Sequence, residues 1–68
     1  MTPDDVIALR HKLGLSQDAF ASLIDCNPRT VCQWEQGINQ VKGLSLTLLQ
    51  AMEDEHVVKV IKKWRAKK

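Results

Sequence analysis

Arg29 and Gln33 stand four residues apart in the stretch NPRTVCQWEQG, which runs from Asn27 to Gly37. If that stretch is helical, both side chains leave one face, a turn apart. A guanidinium presents a rigid planar fork, and a carboxamide presents an acceptor beside a donor, so the pair suits flat partners with two-point hydrogen-bonding edges. The O6/N7 edge of guanine fits the first and the N6/N7 edge of adenine the second, each bidentate pair giving about 1–3 kcal/mol of discrimination. Cys32 and Gln36 share this face, and Val31 and Trp34 fall opposite. The competing reading is a solvated helix face that touches nothing.

A two-turn helix does not hold itself together in water, so its neighbours must position it. Asn27 is a helix-capping residue, Pro28 takes the tolerated first-turn position, and Gly37 supplies a left-handed stop. Upstream, Ser16 caps a second short helix over Gln17–Ile24 whose Phe20, Leu23 and Ile24 face one side. Asp25-Cys26-Asn27 then breaks the chain. Thr2-Pro3-Asp4-Asp5 reads as a capping box with Asp in place of Glu, opening a first helix. Val6, Leu9 and Leu13, with Ile7, form its buried stripe, and Gly14 ends it.

Residues 38–43 lack periodicity and read as a surface loop. Leu44, Leu48, Leu49 and Met52 mark a fourth helix. Val57, Val60, Ile61 and Trp64 mark a fifth at i, i+3, i+4, i+7, with the break placed in Glu53-Asp54-Glu55-His56, although no Pro or Gly forces it. No stretch alternates as a strand would. The expected class is all-α, a single five-helix domain over 1–68, with a helix-turn-helix unit at about 17–36 and a basic C-terminal helix at about 56–66.

At 68 residues the chain buries about 60% of its unfolded surface, so its core is small. Apolar residues at 44% and charged residues at 26% exclude a disordered chain. No apolar run nears the ~20 residues that span a bilayer, and MTPDDVIALR lacks the features of a signal peptide, so a cytoplasmic location is expected. Cys26 and Cys32 lack CxxC spacing and His partners, and read as reduced, small apolar residues. His11 and His56 read as surface residues. No nucleophile–base pair, carboxylate pair or metal spacing is visible, so neither an enzyme nor a cofactor is expected.

Charge is unevenly spread. Up to Val58, four basic residues stand against eight acidic ones, a net −4, and the remaining residues carry six cations. This basic tail reads equally as a contact for nucleic-acid phosphates and as a solvated helix end suited to the helix dipole.

Two short helices across a three-residue turn have the geometry of a helix-turn-helix, whose second helix enters the DNA major groove. Phe20, Ile24, Cys26, Val31 and Trp34 occupy its apolar sites, and small Ala21 sits where the helices meet most closely. The segment LRHKLGLSQDAFASLIDCNPRTVCQWEQG, Leu9 to Gly37, resembles the Xre family of phage and bacterial repressors, the lambda and Cro type, with a looser match through GLSLTLLQAME. The resemblance implies a lambda-repressor-like five-helix domain that binds operator DNA, usually as a dimer, and represses transcription.

Carried onto this chain, the resemblance makes Pro28, Arg29 and Gln33 the base-facing residues. Pro28 fits either contact with a thymine methyl or a plain first-turn proline. Ser16, Gln17, Asn27, Thr30, Gln36, Asn39, Gln40 and Lys42 become backbone-contacting or supporting residues, Gln17 by touching phosphate and bracing the recognition helix. Arg10 and Glu35 resemble a structural salt bridge between helices 1 and 3, and Trp34 anchors helix 3. Two positions depart from the pattern. Asp25 stands where the turn usually has Gly and must take a left-handed conformation, and Val41-Lys42 replace a Pro-Ser that often opens helix 4.

The expected function is a sequence-specific repressor or autoregulator on an inverted-repeat operator, made of the DNA-binding domain alone. Dimerisation is expected through helix 5 and the 38–43 loop, with Ile38, Val41 and Val58 as apolar residues left over from the core. The alternative is an antitoxin-type interaction module that covers a partner toxin, with DNA binding secondary.

Overall fold

Side-chain caps open each of the first three helices in the computed structural model, which describes residues 1–66 of the chain. The elements are α1 (Pro3–Lys12), α2 (Gln17–Leu23), α3 (Pro28–Gln36), α4 (Leu44–Ala51) and α5 (Glu55–Ala66). Among the described residues the architecture is all-α with five helices and no strand. At α1 the capping box is complete: the Asp5 N–H donates to Thr2 Oγ1 at 3.2 Å and the Thr2 N–H to Asp5 Oδ2 at 2.8 Å. Ser16 Oγ accepts from the Ala19 N–H, and Asn27 Oδ1 from the Arg29 N–H, satisfying donors that a helix start would otherwise leave open.

The helix-turn-helix spans α2 and α3, with bounds of Gln17 and Gln36 as the sequence implies. Asp25 takes the left-handed conformation at φ 60°, and Gly37 closes α3 at φ 76°. α3 packs on both α1 and α2, and α5 packs on α2. One cluster of buried side chains joins them: Val6, Leu9, Phe20, Ala21, Val31, Trp34, Val41, Leu49, Met52 and Val58. A Cα radius of gyration of 11.2 Å is that of a compact chain of this length, for which about 11 Å is expected.

The core departs from the sequence reading at three places. Val41 and Val58, read as left over for dimerisation, are 6% and 4% exposed and belong to the core. Leu44, counted in the α4 stripe, is 88% exposed. It is the first residue of α4, where the side chain leans back past the helix start and off the packed surface. On α5 the inner face runs through Val58, Ile61 and Arg65, while Val60 and Trp64 are exposed. The helix is rotated from the purely apolar stripe because Arg65, a half-buried cation, lies on the inner side with its head group bonded to α2.

α5 starts one residue ahead of the sequence estimate. Asp54 is the start signal: its Oδ1 accepts from the His56 N–H at 2.8 Å, and its carbonyl accepts from the Val58 N–H. Lys12 clips this turn to α1 by donating to Glu53 O at 3.0 Å. α4 follows an N-cap of Gly43 with no side-chain cap, where the sequence lacks the Pro-Ser that often opens this helix. Lys67 and Lys68, the end of the basic tail, lie outside the described residues.

Candidate nucleic-acid interface

α3 is buried along one side and open along the other. Val31 and Trp34 enter the core, and Pro28, Arg29 and Gln36 are exposed, with Cys32 and Gln33 half-buried between them. The spacing that places Arg29, Gln33 and Gln36 together in sequence therefore places them together on the outward side.

The rotation of α3 is held by a polar rivet that involves three helices. Glu35 of α3 accepts from Arg10 of α1 through two bonds, Nε to Oε2 at 2.7 Å and Nη2 to Oε1 at 3.1 Å. Gln17 of α2 donates its amide to the same Oε1 at 3.0 Å. Arg10 also donates to Leu15 O, at 3.1 Å, within the α1–α2 turn. With side chains only 16% and 7% exposed, the Arg10–Glu35 pair is shielded from solvent, and its two-point geometry fixes both distance and angle. Hydrogen bonds from Arg10 hold the Glu35 carboxyl below the usual carboxylate range against the opposing push of burial, with Gln17 adding to the effect. The same bonds raise the Arg10 guanidinium further.

Several polar side chains assigned to the site from sequence are engaged in the free protein. The oxygens of Ser16 and Asn27 are helix caps, and Gln17 is turned toward Glu35. Gln33 Oε1 accepts from Asn39 Nδ2 at 2.8 Å, so Asn39, read from sequence as backbone-contacting or supporting, meets a side chain read from sequence as base-facing. A carboxamide oxygen has two lone pairs. Gln33 can keep this bond and still offer an acceptor and two donors to a base edge. Thr30 is half-buried on the first turn of α3, and Gln40 and Lys42 are exposed on the loop beyond Asn39.

Cys26 sits half-buried in the turn, where burial first and the Asp25 carboxylate second push its thiol pKa up and keep it protonated. Among the described residues no group of three or more His, Cys, Asp or Glu side chains is placed to hold a metal ion. No described helix is long and apolar enough to cross a membrane.

The chain is similar to antitoxin HigA-2 of Vibrio cholerae serotype O1. The two are 32% identical over 53 residues, covering 78% of this chain and 51% of HigA-2, so the chain spans about half the length of that relative. No family model matches the chain, and no solved structure does.

Proposed function

We propose that the chain is a sequence-specific DNA-binding repressor or autoregulator that reads base edges in the major groove with α3. The observation that carries this reading is the division of α3: Trp34, Val31 and the Glu35 rivet clamp one side, and Arg29, Gln33 and Gln36 stand on the other with Gln33 pre-set by Asn39. Rigid donors and acceptors on an exposed helix face are what groove reading requires, since phosphate contacts position a protein and base contacts specify the sequence. Gln40 and Lys42, exposed on the following loop, would then meet the sugar-phosphate backbone.

Two copies act together in this proposal, paired through the outer face of α5. Val60 and Trp64 are exposed there, the helix opens behind Glu53, Asp54 and Glu55, and it continues into Lys59, Lys62 and Lys63. Antiparallel packing of two such helices sets the acidic start of each against the basic stretch of the other. The test is selection of duplexes from a random-sequence library by the intact chain. Enrichment of two inverted half-sites with centres about 10–10.5 base pairs apart supports the reading, and a pool no different from the input rejects it.

A second reading is favoured by the similarity to an antitoxin: the chain binds and neutralises a toxin protein, with control of DNA secondary. Co-purification of the product of an adjacent gene supports it, and an Arg29→Ala chain that keeps its DNA affinity but loses that protein replaces the first reading with the second.

A further inference from the structure

α1, α2 and α3 end in the same left-handed motif, and α2 does so without glycine. At Gly14 the pair of bonds is Leu15 N–H to Arg10 O and Gly14 N–H to His11 O; at Gly37 it is Ile38 N–H to Gln33 O and Gly37 N–H to Trp34 O. Between α2 and α3 the Cys26 N–H donates to Ala21 O at 2.9 Å and the Asp25 N–H to Ser22 O at 3.3 Å. This doubled closure is the Schellman motif, whose left-handed residue is normally glycine because a Cβ crowds the neighbouring carbonyl. Asp25 adopts φ 60° there with its Cβ in place.

The end of α2 also lacks a basic residue in its own last turn, where a cation would offset the exposed carbonyls. That cation arrives from α5, forty-three residues away: Arg65 Nη2 donates to Ser22 O at 3.0 Å and lies 3.7 Å from Asp25 Oδ1. Arg65 thus bonds the carbonyl that takes the inner Schellman bond and stands near the carboxylate of the left-handed residue, which is itself 81% exposed. Its side chain stands between two surface grooves, one against Leu15 and Ala19 and the other against Ile24, Leu48 and Ile61. The contact is therefore built into the α2–α5 packing.

We propose that Arg65 is a positioning residue for α3: it holds the Asp25 turn closed from the opposite helix, so that the setting of the recognition helix depends on the placement of α5. The functional half of this inference rests on the DNA-reading proposal above, and the structural half does not. In the pairing proposed above the α5 face lies next to Arg65, which would link association of two copies to the alignment of α3.

Two readouts separate the halves. Amide exchange is measured on the full chain, well below the melting temperature of each variant. Arg65→Ala is expected to speed exchange at Asp25 and Cys26 by about tenfold relative to the core amides of Leu9 and Val31, as local opening does. Adding Asp25→Gly restores protection, since glycine needs no support in that conformation, and Arg65→Lys gives an intermediate result. Unchanged exchange in the turn, or acceleration in parallel with the core, overturns the clamp. On the duplex selected by the wild-type chain, Arg65→Ala is expected to lose about tenfold in affinity, within the usual range of couplings between sites, with the scrambled duplex little affected. Equal losses on both duplexes overturn the positioning role, and a wild-type chain that does not distinguish them refutes the DNA reading and leaves the exchange result to judge the clamp.

Discussion

Replacing Glu35 removes a side chain through which α1, α2 and α3 are hydrogen-bonded together. Its carboxylate receives two bonds from Arg10 and one from Gln17, and a bond to a charged partner contributes about 1.5–3 kcal/mol net of the water bonds it replaces. Glu35→Ala leaves Arg10, at 16% side-chain exposure, without its counter-charge, and breaking a buried pair in this way costs about 3–5 kcal/mol. Arg10 keeps its bond to Leu15 O and some contact with water, which lowers the expected loss to about 2–4 kcal/mol. A chain of this length has roughly 3–10 kcal/mol in total, so the variant is close to unfolding. Urea denaturation followed by tryptophan fluorescence gives the loss as a lowered midpoint at unchanged slope. A loss below about 0.5 kcal/mol, the value of an exposed ion pair, refutes the rivet. Acid provides an independent check. The folded carboxyl titrates below its unfolded value of about 4.3, so its stabilisation is complete above that pH and is lost as pH falls through the lowered folded value. Glu35→Gln should therefore flatten the acid limb of the stability curve, and an unaltered limb contradicts the assignment.

Two further outcomes follow from burial and exposure. Trp34→Ala should destabilise the fold by about 3–5 kcal/mol, read as a collapse of the melting transition, and an unchanged melting temperature would mean that α3 is rotated. Val60→Glu, on the exposed α5 face, should leave the melting transition of the isolated chain nearly in place, within about 0.5 kcal/mol, and abolish dimers in sedimentation. A dimer that survives the substitution moves the interface elsewhere.

The features readable from sequence are those governed by neighbours in the chain. Thr2, Ser16 and Asn27 announce helix starts because a cap acts within three residues, and Gly14 and Gly37 announce stops for the same reason. Arg29, Gln33, Val31 and Trp34 could be sorted onto two sides because α3 is a regular helix with one buried face. The rotation of α5 was not readable. Counting apolar residues chose Val57, Val60, Ile61 and Trp64, and that count cannot recognise Arg65 as an inner-face residue whose stem packs while its head group bonds α2. Val41 reads as a loop residue because one apolar side chain has no period, yet it is buried in the same core cluster as Trp34. The bond from Asn39 to Gln33 crosses the end of α3, where no sequence rule pairs them. Asp54 is the one missed signal that was present, a helix cap hidden within an acidic run.

The most direct test of base reading by α3 compares Arg29→Ala with the wild-type chain on the duplex selected by the wild type and on a scrambled duplex of equal length, at fixed salt. Arg29 is exposed on the outward face and its side chain is outside the Glu35 rivet, so the fold should be unaffected. A loss of about 1–3 kcal/mol is expected on the selected duplex and a much smaller one on the scrambled duplex. Equal losses on both duplexes would show that Arg29 supplies charge alone, and no loss on either would contradict the claim that α3 reads DNA sequence.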